Sequence, residues 1–152
     1  MDKVGTHLLL KEAVAERLRR RRLSVRSISF IKGYDLLVNG HLRVSLRVAL
    51  PVLRKHTVTV RGKRYTYHYS SWHFNFHHHG RRGRKFTDVF VCVPLEYGNG
   101  PQSYFVIPWV EVTGLTFTLH QSARLYDGQY ARNIDNWRAI SKMAAYTPGH
   151  VA

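Results

Sequence analysis

The sequence predicts an α/β fold in which a mixed β-sheet core is flanked by helices and accompanied by a basic β-hairpin. Two amphipathic segments, one near each end, enclose a long middle section in which apolar branched stretches alternate with turn signals. At 152 residues, 44% of them hydrophobic, the chain has the size and composition of one domain with one sizeable core. We therefore expect a single domain over 1–152, with its core over about 7–140 and a frayed tail after 145.

The first amphipathic segment, residues 7–22, predicts a helix because its apolar residues recur at helical spacing on one face. Its last four residues are all arginines: Arg19, Arg20, Arg21 and Arg22. Cations are favourable at this end of a helix, where the dipole is negative. Four arginines exceed what a helix end needs, so we expect them to contact phosphate groups. Glu12 and Glu16 are expected to pair with Arg19 or Arg20, which lie three and four residues after Glu16.

The middle of the chain predicts β-strands. Asn39-Gly40 between two apolar stretches is typical of a tight hairpin turn, and residues 56–69 predict a second hairpin with Arg61-Gly62-Lys63 at its tip. A helix is predicted over 130–143, where apolar residues again share one face. The predicted strands outside the second hairpin are 28–31, 34–38, 42–50, 72–77, 87–95, 104–107 and 115–119.

The chain is strongly basic: 24 Lys and Arg against 9 Asp and Glu give a formal charge of +15. Such an excess indicates a polyanionic partner, and nucleic acid is the principal candidate. No apolar run approaches the roughly 20 residues of a membrane span, and residues 1–6 lack the apolar core of a secretory signal. We therefore predict a cytoplasmic protein with no membrane partner. Cys92, the single cysteine, is expected to be a small buried residue.

The basic residues concentrate at the end of the first helix, at the tip of the second hairpin and in a loop over 77–85 that is rich in histidine and arginine. We expect the hairpin and this loop to supply base contacts, and the cations to hold phosphates. Aromatic residues interleave with the cations: Tyr65, Tyr67, Tyr69, Trp72, Phe74, Phe76 and Phe86. Most of these are expected in the core, and the others could stack on unpaired bases of RNA or distorted duplex. The expected nucleic-acid contacts are Arg19, Arg20, Arg21, Arg22, Arg43, Arg61, Lys63, Arg64, Arg81, Arg82, Arg84 and Lys85.

Residues 33–49 read GYDLLVNGHLRVSLRVA, two apolar strands joined by the Asn-Gly turn. Together with the order of helices and strands, this stretch resembles the PD-(D/E)xK nuclease superfamily, and within it the small intron-encoded homing endonucleases. The resemblance implies a restriction-endonuclease-like fold. It places Asp35 at the family's first acid, and Ser45 and Arg47 at the positions of the second acid and the lysine.

Nucleases of this family use two carboxylates to hold a divalent cation, which activates water for phosphodiester hydrolysis. Two of the three positions are unsuitable here, because the Ser45 hydroxyl carries no charge and Arg47 does not deprotonate near neutral pH. We therefore predict a vestigial catalytic site of Asp35, Ser45 and Arg47, in which Asp35 is the one candidate metal ligand. Such a protein would bind nucleic acid without a cofactor and would not cut it.

Other readings stay open. An active Mg-dependent DNA endonuclease would combine Asp35 with acids from elsewhere, for which Glu12, Glu16 and Asp88 are candidates. A structural RNA-binding protein of a ribonucleoprotein particle, such as a ribosome-associated protein, would need only the basic loops. The histidines around His73 could hold a metal ion or extend the basic loop. The resemblance also allows a homo-oligomer, since homing-type relatives often act as oligomers.

Overall fold

The computed structural model describes residues 3–29, 33–78, 81–82, 87–96, 102–122 and 125–146. The helices are α1 (Lys3–Arg20) and α2 (Trp137–Ala144), with single 3-10 turns at Trp109–Glu111 and Ala131–Asn133. The strands are β1 (Val25–Ser27), β2 (Leu36–Val38), β3 (Leu42–Ala49), β4 (Val52–Val60), β5 (Lys63–Asn75), β6 (His77–His78), β7 (Arg81–Arg82), β8 (Val89–Pro94), β9 (Phe105–Pro108), β10 (Thr116–Ser122) and β11 (Leu125–Asp127). The predicted mixed α/β class is confirmed.

The first sheet has the strand order β1-β2-β3-β8-β9, and its strands are antiparallel except for the parallel pair β3 and β8. Alternate residues of β8 face opposite sides, as the two-residue period of a strand requires. Val89 and Val91 pack with α1 and α2, whereas Phe90 and Cys92 pack against a second sheet. The first sheet is therefore the middle layer of the molecule, buried on both faces.

The second sheet has the order β11-β10-β5-β4 and is antiparallel throughout. β10 pairs only with residues 70–75 of β5, but β4 pairs with β5 as far as the turn at Arg61-Gly62. Residues 54–69 therefore form a two-stranded ribbon, here called the arm, which at about 3.3 Å per residue is roughly 25 Å long. All its side chains are exposed except those of Val58 and Tyr69, which are half-buried.

The two predicted tight turns are confirmed. Asn39 and Gly40 have φ of 50° and 77°, and Arg61 and Gly62 have φ of 51° and 78°. Two successive residues with positive φ form the turn that matches the twist of an antiparallel hairpin.

Several predicted element bounds are wrong. The strand predicted over 28–31 is replaced by β1 at Val25–Ser27, and residues 30–32 lie outside the described part of the chain. The strand predicted over 72–77 is the continuation of β5, and β11 was not predicted. A helix was predicted from residue 130, but α2 begins only at Trp137 because the intervening residues form a 3-10 turn and Asp135 has a φ of 51°.

The first helix also differs from the prediction in its burial. Leu8 and Leu9 were expected on the apolar face but are exposed, whereas Val14, Ala15 and Leu18 pack into the core. Neither helix is both long and apolar enough to span a lipid bilayer within the described residues. The predicted frayed tail after 145 lies outside them from residue 147 onward.

Candidate functional site

Asp35 and Ser45, two of the three residues of the predicted catalytic site, lie in a buried part of the first sheet. Asp35 precedes β2 and Ser45 lies on β3, and their exposed fractions are 1% and 0%. One Asp35 oxygen, Oδ2, accepts a hydrogen bond of 2.7 Å from the Leu46 backbone N–H. The Ser45 hydroxyl donates to the Gly33 carbonyl at 3.3 Å. Both polar side chains are therefore engaged with the backbone of the fold.

The second oxygen of Asp35 meets a residue that the sequence did not single out. His7 on α1 places Nε2 at 3.4 Å from Asp35 Oδ1, which is buried and has no hydrogen-bond partner within the described residues. His7 is 28 residues from Asp35 along the chain, so no local pattern marks the pair. The contact ties α1 to the start of β2.

Arg47 lies on the same strand as Ser45 and on the face that packs against the second sheet. Its Nε donates to the Asn75 carbonyl at 3.3 Å, and its guanidinium lies 5.2 Å from the centre of the Phe90 ring, a cation–π contact. Burial lowers the pKa of Arg47, and the negative charge of Asp35 offsets part of that shift. An arginine stays protonated under these conditions, so Arg47 acts as a fixed cation between the sheets.

The residues around Asp35 do not fit a magnesium site. Magnesium needs several oxygen ligands in octahedral geometry, and Asp35 has one oxygen already committed to the backbone. No group of three or more His, Cys, Asp or Glu side chains within the described residues is placed to hold a metal ion. The other candidate acids point elsewhere: Glu12 pairs with Arg19 at 3.1 Å and Glu16 with Arg20 at 3.5 Å.

The remaining candidate ligand, Asp88, is held by Arg43. The guanidinium Nε and Nη2 of Arg43 each approach a carboxylate oxygen of Asp88 at 3.2 Å, and the Arg43 backbone N–H donates to Oδ2 at 2.8 Å. Arg43 was expected to contact phosphate, and that contact stays a prediction. In the structure its planar guanidinium binds the Asp88 carboxylate, which connects β3 to the start of β8.

The arginines at the end of α1 also have partners within the protein. Arg19 reaches Glu12 and the Val25 carbonyl, Arg20 pairs with Glu16, and Arg21 donates to the Ser141 hydroxyl at 2.9 Å. Arg22 has a φ of 64° and ends the helix in the left-handed region. This cluster therefore serves the fold as well as presenting charge.

The cations at the tip of the arm differ from the arginines of α1, because they have no partner among the described residues. Arg61, Lys63 and Arg64 at its tip are exposed, and no other described residue pairs with them. Asp35 and Asp88 bound a stretch that contains eleven Lys and Arg and no acid, so nothing nearby in sequence neutralises the arm. Arg81 and Arg82 form β7 opposite β6, whereas Arg84 and Lys85 lie outside the described residues.

The expectation that most of the interleaved aromatic residues are in the core is correct for only part of the set. Trp72, Phe74 and Phe76 are buried between the sheets. Tyr65 and Tyr67 are 45% and 55% exposed, because they lie on the face of β5 opposite to that of Trp72 and Phe74. The residues on the other face of the arm are exposed as well, so the arm is not the half-buried strand pair that the alternation of its residues predicts. Phe86 lies outside the described residues.

The chain was compared with models of protein families, with curated protein sequences and with solved structures, and none of them matched. The resemblance to PD-(D/E)xK nucleases therefore stays a prediction from the sequence.

Proposed function

We propose that this protein binds nucleic acid on a restriction-endonuclease-like framework whose catalytic site is vestigial. The observation that carries the proposal is the exposed basic arm. It presents Arg61, Lys63 and Arg64 without competing carboxylates, on a ribbon that extends beyond the body of the protein. Unpaired cations of this kind release condensed counterions when they meet phosphates, which supplies most of the affinity for nucleic acid.

The loss of hydrolysis is proposed from the surroundings of Asp35. An active magnesium endonuclease would need the carboxylate to leave the Leu46 N–H and His7, and to be joined by further acids. Glu12, Glu16 and Asp88 each have a cationic partner of their own. The proposed framework therefore retains the position of the family's first acid and uses it for structure.

The salt dependence of binding tests the proposal. If the protein neutralises about six phosphates, the logarithm of the binding constant for duplex DNA falls with the logarithm of salt concentration with a slope of roughly −5. Replacing Arg61, Lys63 and Arg64 with glutamine should reduce the magnitude of the slope by about 2 to 3. A slope near zero for the wild-type protein would refute nucleic-acid binding through this surface.

A matched control removes the same charge elsewhere. Arg26, Arg138 and Lys142 are exposed, and no other described residue pairs with them. Their replacement with glutamine changes the net charge by the same amount as the arm variant. We expect a smaller change in the slope, since these cations lie on β1 and α2, away from the arm.

Cleavage and partner type are read in the same experiment. Duplex DNA and structured RNA are incubated with the protein and magnesium, and both retention and cleavage are scored on one gel. Retention without cleavage is expected. Magnesium-dependent cleavage that disappears in Asp35→Ala would establish the active endonuclease, and preferential retention of structured RNA would favour the ribonucleoprotein role.

A further inference from the structure

The outer face of the second sheet carries an exposed row of rings. Because alternate residues of a strand share a face, Tyr65, Tyr67 and Tyr69 of β5 lie together on the side away from the core. The register of β10 extends the row: Tyr69 contacts the His120 ring edge-on at 5.5 Å between centroids. His73 follows on the same face, where its Nδ1 lies 3.2 Å from the Thr118 hydroxyl.

Cations lie on the same face as the rings. Arg54 of β4 is paired in register with Tyr69, and its Nε lies 3.4 Å from the Ser71 hydroxyl. Lys63 stands at the tip end of the face, opposite Val60. The only acidic residue in the second sheet is Asp127, on the edge strand farthest from β4. The face is therefore aromatic along its centre and basic at its margins.

We propose that this face binds single-stranded nucleic acid by stacking unpaired bases on Tyr65, Tyr67 and the Tyr69–His120 pair. Arg54 and Lys63 would contact the phosphates on either side. The inference rests on the proposed function and names the form of nucleic acid that the arm selects.

The spacing of the rings supports an unpaired strand as the ligand. Residues two apart on a strand are separated by about 6.6 Å, twice the roughly 3.4 Å that one stacked base occupies. One base can thus lie between successive rings. In a duplex the faces of the bases are covered by their neighbours, so a row of exposed rings has nothing to stack on.

The exposure of the rings also supports the proposal that this face binds a ligand. Val52, Val60, Tyr65 and Tyr67 are between 45% and 55% exposed, and all four lie on this face. Soluble proteins rarely leave a contiguous apolar patch uncovered unless it binds something. The surrounding cations repel a second copy of the same basic surface and attract a polyanion, which selects nucleic acid as the occupant.

Three labelled ligands of equal length separate stacking from charge: an oligothymidylate, an abasic oligomer with the same phosphates and a DNA duplex. Binding is measured by fluorescence anisotropy at one salt concentration. We expect the oligothymidylate to bind more tightly than both others. The abasic oligomer is expected to lose more affinity, relative to the oligothymidylate, than the removal of any one tyrosine ring costs.

The variants remove one ring at a time from an exposed position. Tyr67→Leu should weaken oligothymidylate binding by about 5- to 150-fold, the effect of losing one stacked base. Tyr67→Phe keeps the ring and should bind as the wild type does. His68→Leu removes a ring from the opposite face of the same strand and should leave binding unchanged. Circular dichroism of each variant checks that the fold is retained, and Tyr65→Leu provides an independent second ring.

The outcomes are distinguishable. Equal binding of the abasic oligomer and the oligothymidylate, preferred binding of the duplex, or unchanged binding by both Tyr67→Leu and Tyr65→Leu would overturn base stacking while leaving the proposed function intact. Failure of all three ligands to bind would overturn base stacking, and failure of structured RNA to bind as well would overturn the proposed function.

Discussion

Substitution of Asp35 separates a structural acid from a catalytic one. Asp35→Ala removes the acceptor of the 2.7 Å hydrogen bond from the Leu46 N–H, a buried donor that would then have no partner. A hydrogen bond to a charged group contributes about 1.5–3 kcal/mol, and the contact with His7 is lost as well. The burial cost of the carboxylate offsets part of this, so we expect Asp35→Ala to lower the free energy of unfolding by about 2 kcal/mol.

Asp35→Asn is the matched control. The asparagine oxygen can still accept from the Leu46 N–H, and only the charge facing His7 is removed. We expect this variant to lose less than about 1 kcal/mol. Both free energies are measured by urea unfolding followed by far-UV circular dichroism, with and without magnesium.

One result would refute the reasoning. If Asp35→Ala is as stable as the wild type or more stable, the carboxylate is a strained functional group and not a structural acceptor, since functional acids are commonly held at a cost in stability. Stabilisation of the wild type by magnesium that Asp35→Ala lacks would point to the same conclusion, because a bound ion stabilises the folded state.

Three further predictions concern the buried thiol, the ion pair between Arg43 and Asp88, and the turn at the tip of the arm. Burial raises the pKa of Cys92, so the folded protein keeps a thiol proton that the unfolded chain loses above about pH 8.5. The free energy of unfolding should therefore fall as the pH rises above that value, by about 1.4 kcal/mol per pH unit from this group. Urea unfolding between about pH 8.5 and 10 checks this, because the part of the decrease that comes from Cys92 should be absent in Cys92→Ala. Asp88→Ala should cost about 1–2 kcal/mol in thermal unfolding, more than Arg43→Ala, because it also removes the acceptor of the Arg43 backbone N–H; equal losses would contradict this. Gly62→Ala meets no neighbouring atom but places a side chain at a φ of 78°, so it should lower the free energy of unfolding by about 1 kcal/mol and reduce the protection of the arm's amides from hydrogen exchange. Arg61→Asn should increase that protection, because asparagine tolerates a positive φ. Unchanged hydrogen exchange in both variants would be evidence against the turn geometry.

Local signals in the sequence identified much of the secondary structure. Asn39-Gly40 predicted a tight turn because few residue pairs tolerate two successive positive φ angles, and residues 56–69 predicted a hairpin with Arg61-Gly62-Lys63 at its tip. Both turns are present. The apolar stretch over 87–95 predicted a buried strand, and β8 is buried along its whole length. The boundary of α2 was missed, because Ile134, which follows the 3-10 turn in an extended conformation, is at a helical spacing from Trp137 and Ile140.

The candidate site was predictable only in part. The resemblance marked Asp35, Ser45 and Arg47, and the structure places Asp35 just before β2 and the other two on the adjoining strand β3. No local pattern could show that His7 and the Leu46 N–H contact the carboxylate. These are contacts between residues distant in sequence, decided by how α1 packs on the first sheet. The net charge was likewise fixed by composition, yet which cations are already paired was decided by the fold.

The arm shows the same division most clearly. The alternation of residues 56–69 determined that tyrosines share one face of a strand pair, since the side-chain period of a strand is two. Whether a face is covered depends on where the first sheet packs, and it packs on the face of Trp72, Phe74 and Phe76, not on that of the tyrosines. The sequence by itself therefore determined a basic chain with a tyrosine-bearing hairpin, and only the tertiary structure decided that Tyr65 and Tyr67 are exposed, because burial is set by the neighbouring layer and not by the strand itself.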